Sequence, residues 1–443
     1  MNVVERYEIG GRGASEIAAS IERAILAGRL GPGAKLPTVR ALGMALRVSP
    51  GTIAAAYRSL RLRGLISAAG RRGTIVRALP VLSPRPAVPL GARVRDVAGG
   101  GPDPALLPPL APLLARLAPP PINYSAPACD AALLELARAG FAADGLPPGP
   151  ITVVGGALDG IERVLQAGLR VGDRVIVEDP GYFAVFDLLR ALGLVPLPVA
   201  LDGAGPRSDA LAGALAKGAA ALILTPRAQN PTGAALTPAR AAALRALLAR
   251  HPDLLVIEDD HAGPIAGQPA LTVVEPGRPR YAILRSVSKW LGPDLRLALL
   301  TADPLTIGRV EGRRQLGAGW VSHILQRLVV ELWSDDQSRH LVRRAAGSYN
   351  QRRAALIAAL AEHGIAASGR SGLNVWIPVR EETILVQALR QAGWAVMAGE
   401  RFRIESGPAV RVSVGALAVP AEIAGFAADF AAALRAGGGI RAA

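Results

Sequence analysis

Six short apolar runs constrain how this chain can fold. They are ITVV (151–154), DRVIVED (173–179), AALILTP (220–226), LLVIEDD (254–260), YAILRS (281–286) and LRLALLT (295–301). Apolar strands that alternate with helices are the signature of a mainly parallel sheet with crossover helices, an α/β architecture. In open sheets of this kind a ligand sits beyond the carboxyl ends of the strands. The polar residues that follow these runs are where chemistry is expected.

The 443 residues allow two or three domains, and 51% apolar residues supply a large core. No uninterrupted apolar run reaches membrane-spanning length, and the opening MNVVERYEIGGRG lacks a signal-peptide core. A soluble, cytoplasmic protein is expected. The single cysteine, Cys129, cannot form an internal disulfide, and no Cys/His spacing suggests zinc, so no metal is expected. Charge is unevenly spread. Residues 1–77 hold 13 Arg or Lys and 4 Glu, which is +9 of the chain's net +15, and no acid falls between Arg47 and Arg77. Such a cluster is the footprint of a polyanion partner. A solvated basic face gives the same count.

Residues 13–77 read as short helices followed by a hairpin. Ile17, Ile21 and Ile25 give Glu16–Ala27 helical spacing, and GRLGPGAKLPT is loop. Val39–Leu46 is a short helix, Arg47-Val48 a tight turn, and Ser49 caps a helix over Pro50–Leu62. Two helices joined this way form a helix-turn-helix, and GLISAAGRRGTIVRA then reads as strand, basic turn, strand, a wing. The Pro-rich stretch over 79–94 reads as a semi-extended linker. A long basic helix is expected over Val342–His363, followed by strand-like SGLNVWIPV and AVRVSVGA, a smaller α+β subdomain. The expected domains are 1–78, the linker 79–94, a large domain 95–340 and a C-terminal subdomain 341–443.

The strand ends carry a distinctive set of residues. After ITVV, Gly155, Gly156 and Ala157 open a helix, where bare N–H groups can meet a phosphate. Tyr182 follows the second run and Asn230, in RAQNPTG, the third. Asp259, Asp260 and His261 end the fourth; Ser286, Ser288 and Lys289 follow the fifth, and Arg296 stands seven residues beyond the lysine. Lys289 is one of only three lysines among 50 basic residues, the others being Lys35 and Lys217. Singly, these features are also what packing and capping produce. Their order along the sheet carries the reading.

Together they resemble the fold-type I aminotransferases, which hold pyridoxal 5′-phosphate (PLP), over roughly residues 95–437. The resemblance implies a Schiff-base lysine at Lys289, since an imine needs a primary amine that can lose its proton and a guanidinium cannot. It implies that Asp259 keeps the pyridine nitrogen protonated, that Asn230 partners the phenolic oxygen and that Tyr182 stacks on the ring. Ser286, Arg296 and the N–H groups of Gly156 and Ala157 match a phosphate cradle. Arg411, in AVRVSV, matches the arginine for a substrate α-carboxylate, and Tyr124, in INYSAP, a tyrosine given to the neighbour's phosphate site. One departure stands out. A tyrosine commonly found at or just after position 261 is absent from EDDHAG, where His261 is either a substitute donor or a bystander. This weighs against efficient transamination but not against PLP binding.

PGAKLPTVRALGMALRVSPGTIAAAYRSL resembles the GntR-type winged helix. The resemblance assigns DNA contacts to Arg40, Ser49, Gly51, Thr52 and Arg58, and wing contacts to Gly70, Arg71 and Arg72. Tyr57 and Leu60 belong to the core. A GntR-type winged helix fused to an aminotransferase-like domain is the architecture of the MocR subfamily, and TPRAQNPTG with EDDH looks like its PtsJ-type members. The resemblance implies a head-to-tail, domain-swapped homodimer that regulates vitamin B6 or amino-acid metabolism genes. Three readings follow: a PLP-sensing regulator that binds operator DNA, with PLP alone or with an amino acid or amine as effector; an active aminotransferase that also binds DNA; and a DNA-binding protein with a decayed PLP fold, disfavoured because Lys289 and Asp259 both stand.

Overall fold

The computed structural model describes residues 9–26, 29–31, 33–62, 65–68, 73–76, 91, 94–117 and 121–436. The chain divides into two compact units: Met1–Ala87 with the short segments Arg170–Arg174 and Phe186–Pro196, and the remainder.

In the first unit, helices α1 (Ala14–Leu26), α2 (Val39–Leu46) and α3 (Pro50–Leu62) surround a core that includes Ile17, Ile21, Leu42, Ile53 and Leu60. The α1 helix starts two residues before the expected Glu16, and Ala27 lies outside the described residues. The Thr38 hydroxyl accepts from the Ala41 N–H (3.2 Å) to cap α2, and Arg47, at φ 55°, ends it. Ser49 Oγ then accepts from the Thr52 N–H (3.1 Å), satisfying one of the free donors that open α3. Tyr57 is buried and its hydroxyl donates to the Pro37 carbonyl at 2.8 Å, which ties α3 to the loop before α2. Tyr57→Phe removes that bond and should cost about 1 kcal/mol, read as a lower denaturant midpoint for this unit; an unchanged midpoint would refute the role. Strands β1 (Ile66–Ala68) and β2 (Thr74–Val76) pair antiparallel, Ile66 opposite Val76, and Lys35 bridges to Ile75. The unit is thus a helix-turn-helix followed by a hairpin. The wing residues Gly70, Arg71 and Arg72, and all of the linker but Gly91 and Val94, lie outside the described residues.

Beyond the linker, β3 is Arg95–Asp96, β4 Ile151–Val154, β5 Arg174–Asp179, β6 Val195–Asp202, β7 Gly205–Pro206, β8 Ala221–Leu224, β9 Leu255–Asp260, β10 Tyr281–Ser286 and β11 Ala298–Ala302. An eight-stranded sheet has the order β4-β11-β10-β9-β8-β5-β6-β7. The run β10, β9, β8, β5 is parallel, while β11 is antiparallel to both its neighbours. The exception follows from chain length. Parallel neighbours need a crossover of a dozen or more residues, and only residues 287–297 separate β10 from β11. Every residue of β9, β10 and β11 is buried, as strands covered on both faces must be.

Helix α4 (Ala157–Gly168) follows β4, and the long helix α5 spans Asp336–Glu362. The latter begins six residues before the expected Val342, because Asp335 caps it by accepting from the Ser338 N–H (2.8 Å) and its first turn is polar. A second sheet, order β12-β15-β14, is built from Asn374–Pro378 (β12), Ala409–Ser413 (β15) and Met397–Ala398 (β14). The short β3 pairs in parallel with β13 (Trp394–Ala395), Arg95 opposite Trp394. Among the described residues, no helix is long and apolar enough to cross a membrane.

Candidate cofactor and nucleic-acid sites

The carboxyl ends of the parallel strands open on a cavity of about 200 Å³. Of the residues picked from the strand ends, Ala157, Tyr182, Asn230, Asp259, His261, Ser286, Lys289 and Arg296 all line it. Ser288, also named there, lines it too, and Leu158, Thr225 and Pro293 complete the lining. Thr225 also follows a strand, so the same signal marks it; Leu158 and Pro293 carry none.

Gly156 caps α4 at φ 108°, in the left-handed region that favours glycine. A Cβ there would come within 3.0 Å of Arg296 Nη2, so the guanidinium lies directly against this backbone. Arg296 itself has φ 42°. The Gly155 N–H is already used, donating to Asp159 Oδ2 at 2.8 Å. The donors left at this helix end are those after it.

Three consecutive acids end β9, and their surroundings separate them. Successive strand residues face opposite sides. Glu258 accepts from the Thr272 hydroxyl (2.9 Å) and the Val273 N–H (2.6 Å), and burial pushes its carboxyl up to about 7. Asp260 accepts two bonds from Arg227 (2.9 and 2.7 Å) and one from Arg285 (2.9 Å). Burial alone would raise its pKa, but the two guanidiniums hold it at about 2. Asp259 has no such partner. Its Oδ1 is buried without a hydrogen bond, and burial followed by the charge of Asp260 pushes it up to about 7. An N–H that carries positive charge is what such an oxygen lacks.

Lys289 faces the same cavity. Burial first, and then the Arg411 guanidinium, lower its pKa to about 8. Its Nζ donates to the Gly100 carbonyl. The neighbouring Trp290 Nε1–H donates to the Ser286 carbonyl (2.8 Å), which fixes the turn that presents the lysine. Burial, then the Asp259 charge, raise the Tyr182 pKa, so its hydroxyl stays protonated. His261 Nε2 lies 2.9 Å from the Ala228 carbonyl. A carbonyl only accepts, so the ring proton sits on Nε2. Burial, then Lys289, lower the His261 pKa to about 4, which leaves the ring neutral with that one proton committed.

Arg411, on β15, is outside the lining but touches it. Its Nη1 donates to Asn230 Oδ1 (2.9 Å), Nη2 donates to the Ala98 carbonyl, and the guanidinium lies 4.8 Å over the Phe402 ring. Tyr124 is 94% exposed, against Trp320 at 5.9 Å, and away from this cavity of its own chain. Sequence reasoning missed the segment Ala98–Gly101 and the cluster in which buried Arg227, Asp260 and Arg285 meet the partly exposed Asp144 (Arg285 Nη2 to Asp144 Oδ2, 2.6 Å). In the first unit, Arg40, Ser49, Gly51 and Arg58 are exposed and Thr52 is partly so. The Ser49 and Thr52 hydroxyls are 2.9 Å apart, at the start of α3.

Comparison with known proteins agrees with this layout. Residues 126–429 match the family described as aminotransferase class I and II, and residues 14–76 match the bacterial regulatory proteins of the gntR family. The vitamin B6 salvage pathway transcriptional repressor PtsJ of Salmonella typhimurium is 40% identical over 405 residues, which is 90% of this chain and 93% of that protein. The HTH-type transcriptional regulator TauR of Rhodobacter capsulatus is 28% identical, over 82% of this chain and 83% of that one. Among solved structures, LysN, the alpha-aminoadipate aminotransferase of Thermus thermophilus complexed with N-(5′-phosphopyridoxyl)-L-leucine, superposes with a TM-score of 0.69 at 24% identity, over 78% of this chain and 93% of that one. That likeness speaks for the fold. This chain belongs to the aminotransferase class I and II family and joins that domain to a GntR-type helix-turn-helix, which places it with the MocR-type transcription regulators.

Proposed function

We propose that this GntR-type regulator senses PLP, taking it on Lys289 and changing operator affinity in response. The observation that carries the reading is the buried, unpartnered Asp259 Oδ1 in the same cavity as Lys289. PLP, when bound, supplies a protonated pyridine ring that acts as an electron sink. Asp259 accepts the ring N–H, and Asn230 and Tyr182 orient the ring. Ser286, Arg296 and the N–H groups of Gly156 and Ala157 hold the phosphate. Lys289, with its pKa lowered to about 8 by burial and Arg411, reaches the neutral, nucleophilic form near physiological pH. His261 has given its only proton to Ala228 and supplies no second donor for the phenolic oxygen. This favours sensing over turnover. Arg411 is the group for a ligand carboxylate.

Arg40, Ser49, Gly51, Thr52 and Arg58 contact operator DNA, with Gly70, Arg71 and Arg72 on the wing. The domains are 1–78, 79–94, 95–340 and 341–443. The protein acts in the cytoplasm as a homodimer with exchanged DNA domains, and Tyr124 reaches the neighbour's phosphate site. PtsJ's name supports vitamin B6 metabolism as the regulated pathway. A working aminotransferase that also binds DNA is the second reading, favoured by the joint presence of Lys289, Asp259, Asn230 and Arg411; sustained keto-acid production at about 1–1000 per second would establish it.

The test is a titration onto labelled DNA from upstream of the protein's own gene, at fixed salt and with excess unrelated DNA, because phosphate contacts are salt-dependent. PLP should shift specific affinity by about 5–150-fold. Specific binding that ignores PLP would remove it as the effector.

A further inference from the structure

Among the described residues, Ala228 is one of three non-glycine residues with a left-handed backbone, at φ 54°. A side chain there costs energy, and such a residue persists only where its surroundings dictate it. Here they do. The Ser371 hydroxyl accepts from the Ala228 N–H (3.0 Å) and donates to the Ala266 carbonyl (2.7 Å). Gly372 lies so close that a Cβ on it would meet the Ala228 Cβ at 2.4 Å. Arg353, buried on α5, holds the loop that carries both residues. It donates to the carbonyls of Gly369 (3.0 Å), Arg370 (3.0 Å) and Gly372 (2.6 Å). What the strained residue does with its own carbonyl is take the proton of His261 Nε2, at 2.9 Å. That bond settles the ring, because a neutral imidazole with its proton on Nε2 has only a lone pair on Nδ1. His261 lines the same cavity as Asn230, and it would otherwise be a second donor to the phenolic oxygen of PLP.

We propose that Ser371 is a positioning residue: through Ala228 it withholds His261 from the coenzyme and leaves Asn230 as the donor to the phenolic oxygen. The Asn230 Oδ1 already accepts from Arg411 Nη1 (2.9 Å), so its NH2 is the end left to donate. An oxygen with one donor instead of two keeps more of its negative charge. It therefore holds the proton on the adjoining Lys289 nitrogen more strongly once PLP is attached. The bound coenzyme then stays in one protonation state through neutral pH, and the regulator reports coenzyme rather than small changes in acidity. This deepens the PLP-sensing reading and rests on it. The charged or titratable groups around this corner are Lys289, Asp259, Arg296 and Tyr182 in the lining, Arg411 beyond Asn230, and Asp260 next to His261 in the chain. None of them touches the Ser371 hydroxyl, whose two partners are backbone groups.

The test is a pH titration of the visible band of the full chain loaded with PLP. Ser371→Ala frees the Ala228 peptide, and with it His261. The midpoint of the colour change should fall by about one pH unit, the scale of one hydrogen bond to a charged oxygen. Ser371→Cys, whose thiol bonds weakly, should fall between the two. The double variant Ser371→Ala/His261→Phe should return to the wild-type midpoint. An unchanged midpoint in Ser371→Ala overturns the proposal, and so does a shift that survives in the double variant, which would place the effect on Asn230. A second readout needs no coenzyme. Nitrogen NMR of the histidine rings should show His261 wholly protonated on Nε2 in the wild-type chain and divided between the two nitrogens in Ser371→Ala. A ring that keeps its proton on Nε2 in that variant overturns the lock. Absence of any visible band on adding PLP to the wild-type chain would instead sink the sensor reading, and the ring tautomers would still decide whether Ser371 sets His261.

Discussion

Lys289→Ala should abolish the visible absorption that PLP gives with the wild-type chain, and with it the effect of PLP on operator affinity. Covalent attachment needs a primary amine at this point of the cavity, and the other two lysines, Lys35 and Lys217, do not line it. Lys289→Arg should fail in the same way, because a guanidinium keeps its proton. The pH dependence separates this from a general loss of binding. Only the neutral amine attacks, so the attachment rate should climb with pH and level off above about 8, where Lys289 has lost its proton. The measurement is the rate at which the band grows between pH 6 and 10. A band of wild-type intensity in Lys289→Ala sinks the assignment.

Asp260→Ala should be the most destabilising single change at the site, about 3–5 kcal/mol. Its carboxylate serves both Arg227 and Arg285, which are buried, and its removal leaves Asp144 as their only acid within salt-bridge reach among the described residues. Asp259→Ala is the contrast. It deletes a carboxylate oxygen that has no partner, so without PLP the protein should lose little stability or gain some. Thermal melts of the two variants side by side decide the matter. Equal losses would mean that the pairing of Asp260 carries no weight. The sign of the pH effect follows from the depressed pKa. The folded value is about 2 and the unfolded one near 3.9, so this contribution is complete above about pH 4 and is lost as pH falls through about 2.

Much of the site was legible in the sequence because one rule located it. Residues that end parallel strands gather on one edge of a sheet, so Asn230, Asp259, Ser286 and Lys289 could be picked out without knowing their neighbours. The helix-turn-helix was legible for a similar reason, since Thr38, Arg47, Ser49 and Pro50 mark its ends locally. What was not legible depends on long-range packing. Asp260 looks like Asp259 in sequence; only alternation of faces, and two arginines that arrive from β8's end and β10, give them opposite fates. Asp335 does not stand out as a cap, because the apolar pattern begins only later, at Val342. The segment Ala98–Gly101 carries no chemical side chain at all. It reaches Lys289 through backbone carbonyls, and nothing in its composition says so.

The pairing of β3 with β13 also sets an order of events during synthesis. Arg95 and Trp394 are about 300 residues apart, and Arg95 has its partner only when the second of them has emerged. At roughly 5–20 residues per second this delay is about 15–60 s. The DNA-reading unit, whose core is drawn from residues 9–76, is complete long before then. The stretch from Arg95 to Val97 must wait for β13. A message cut short before codon 394 would therefore release a polypeptide with its helix-turn-helix core complete and β3 without its partner strand.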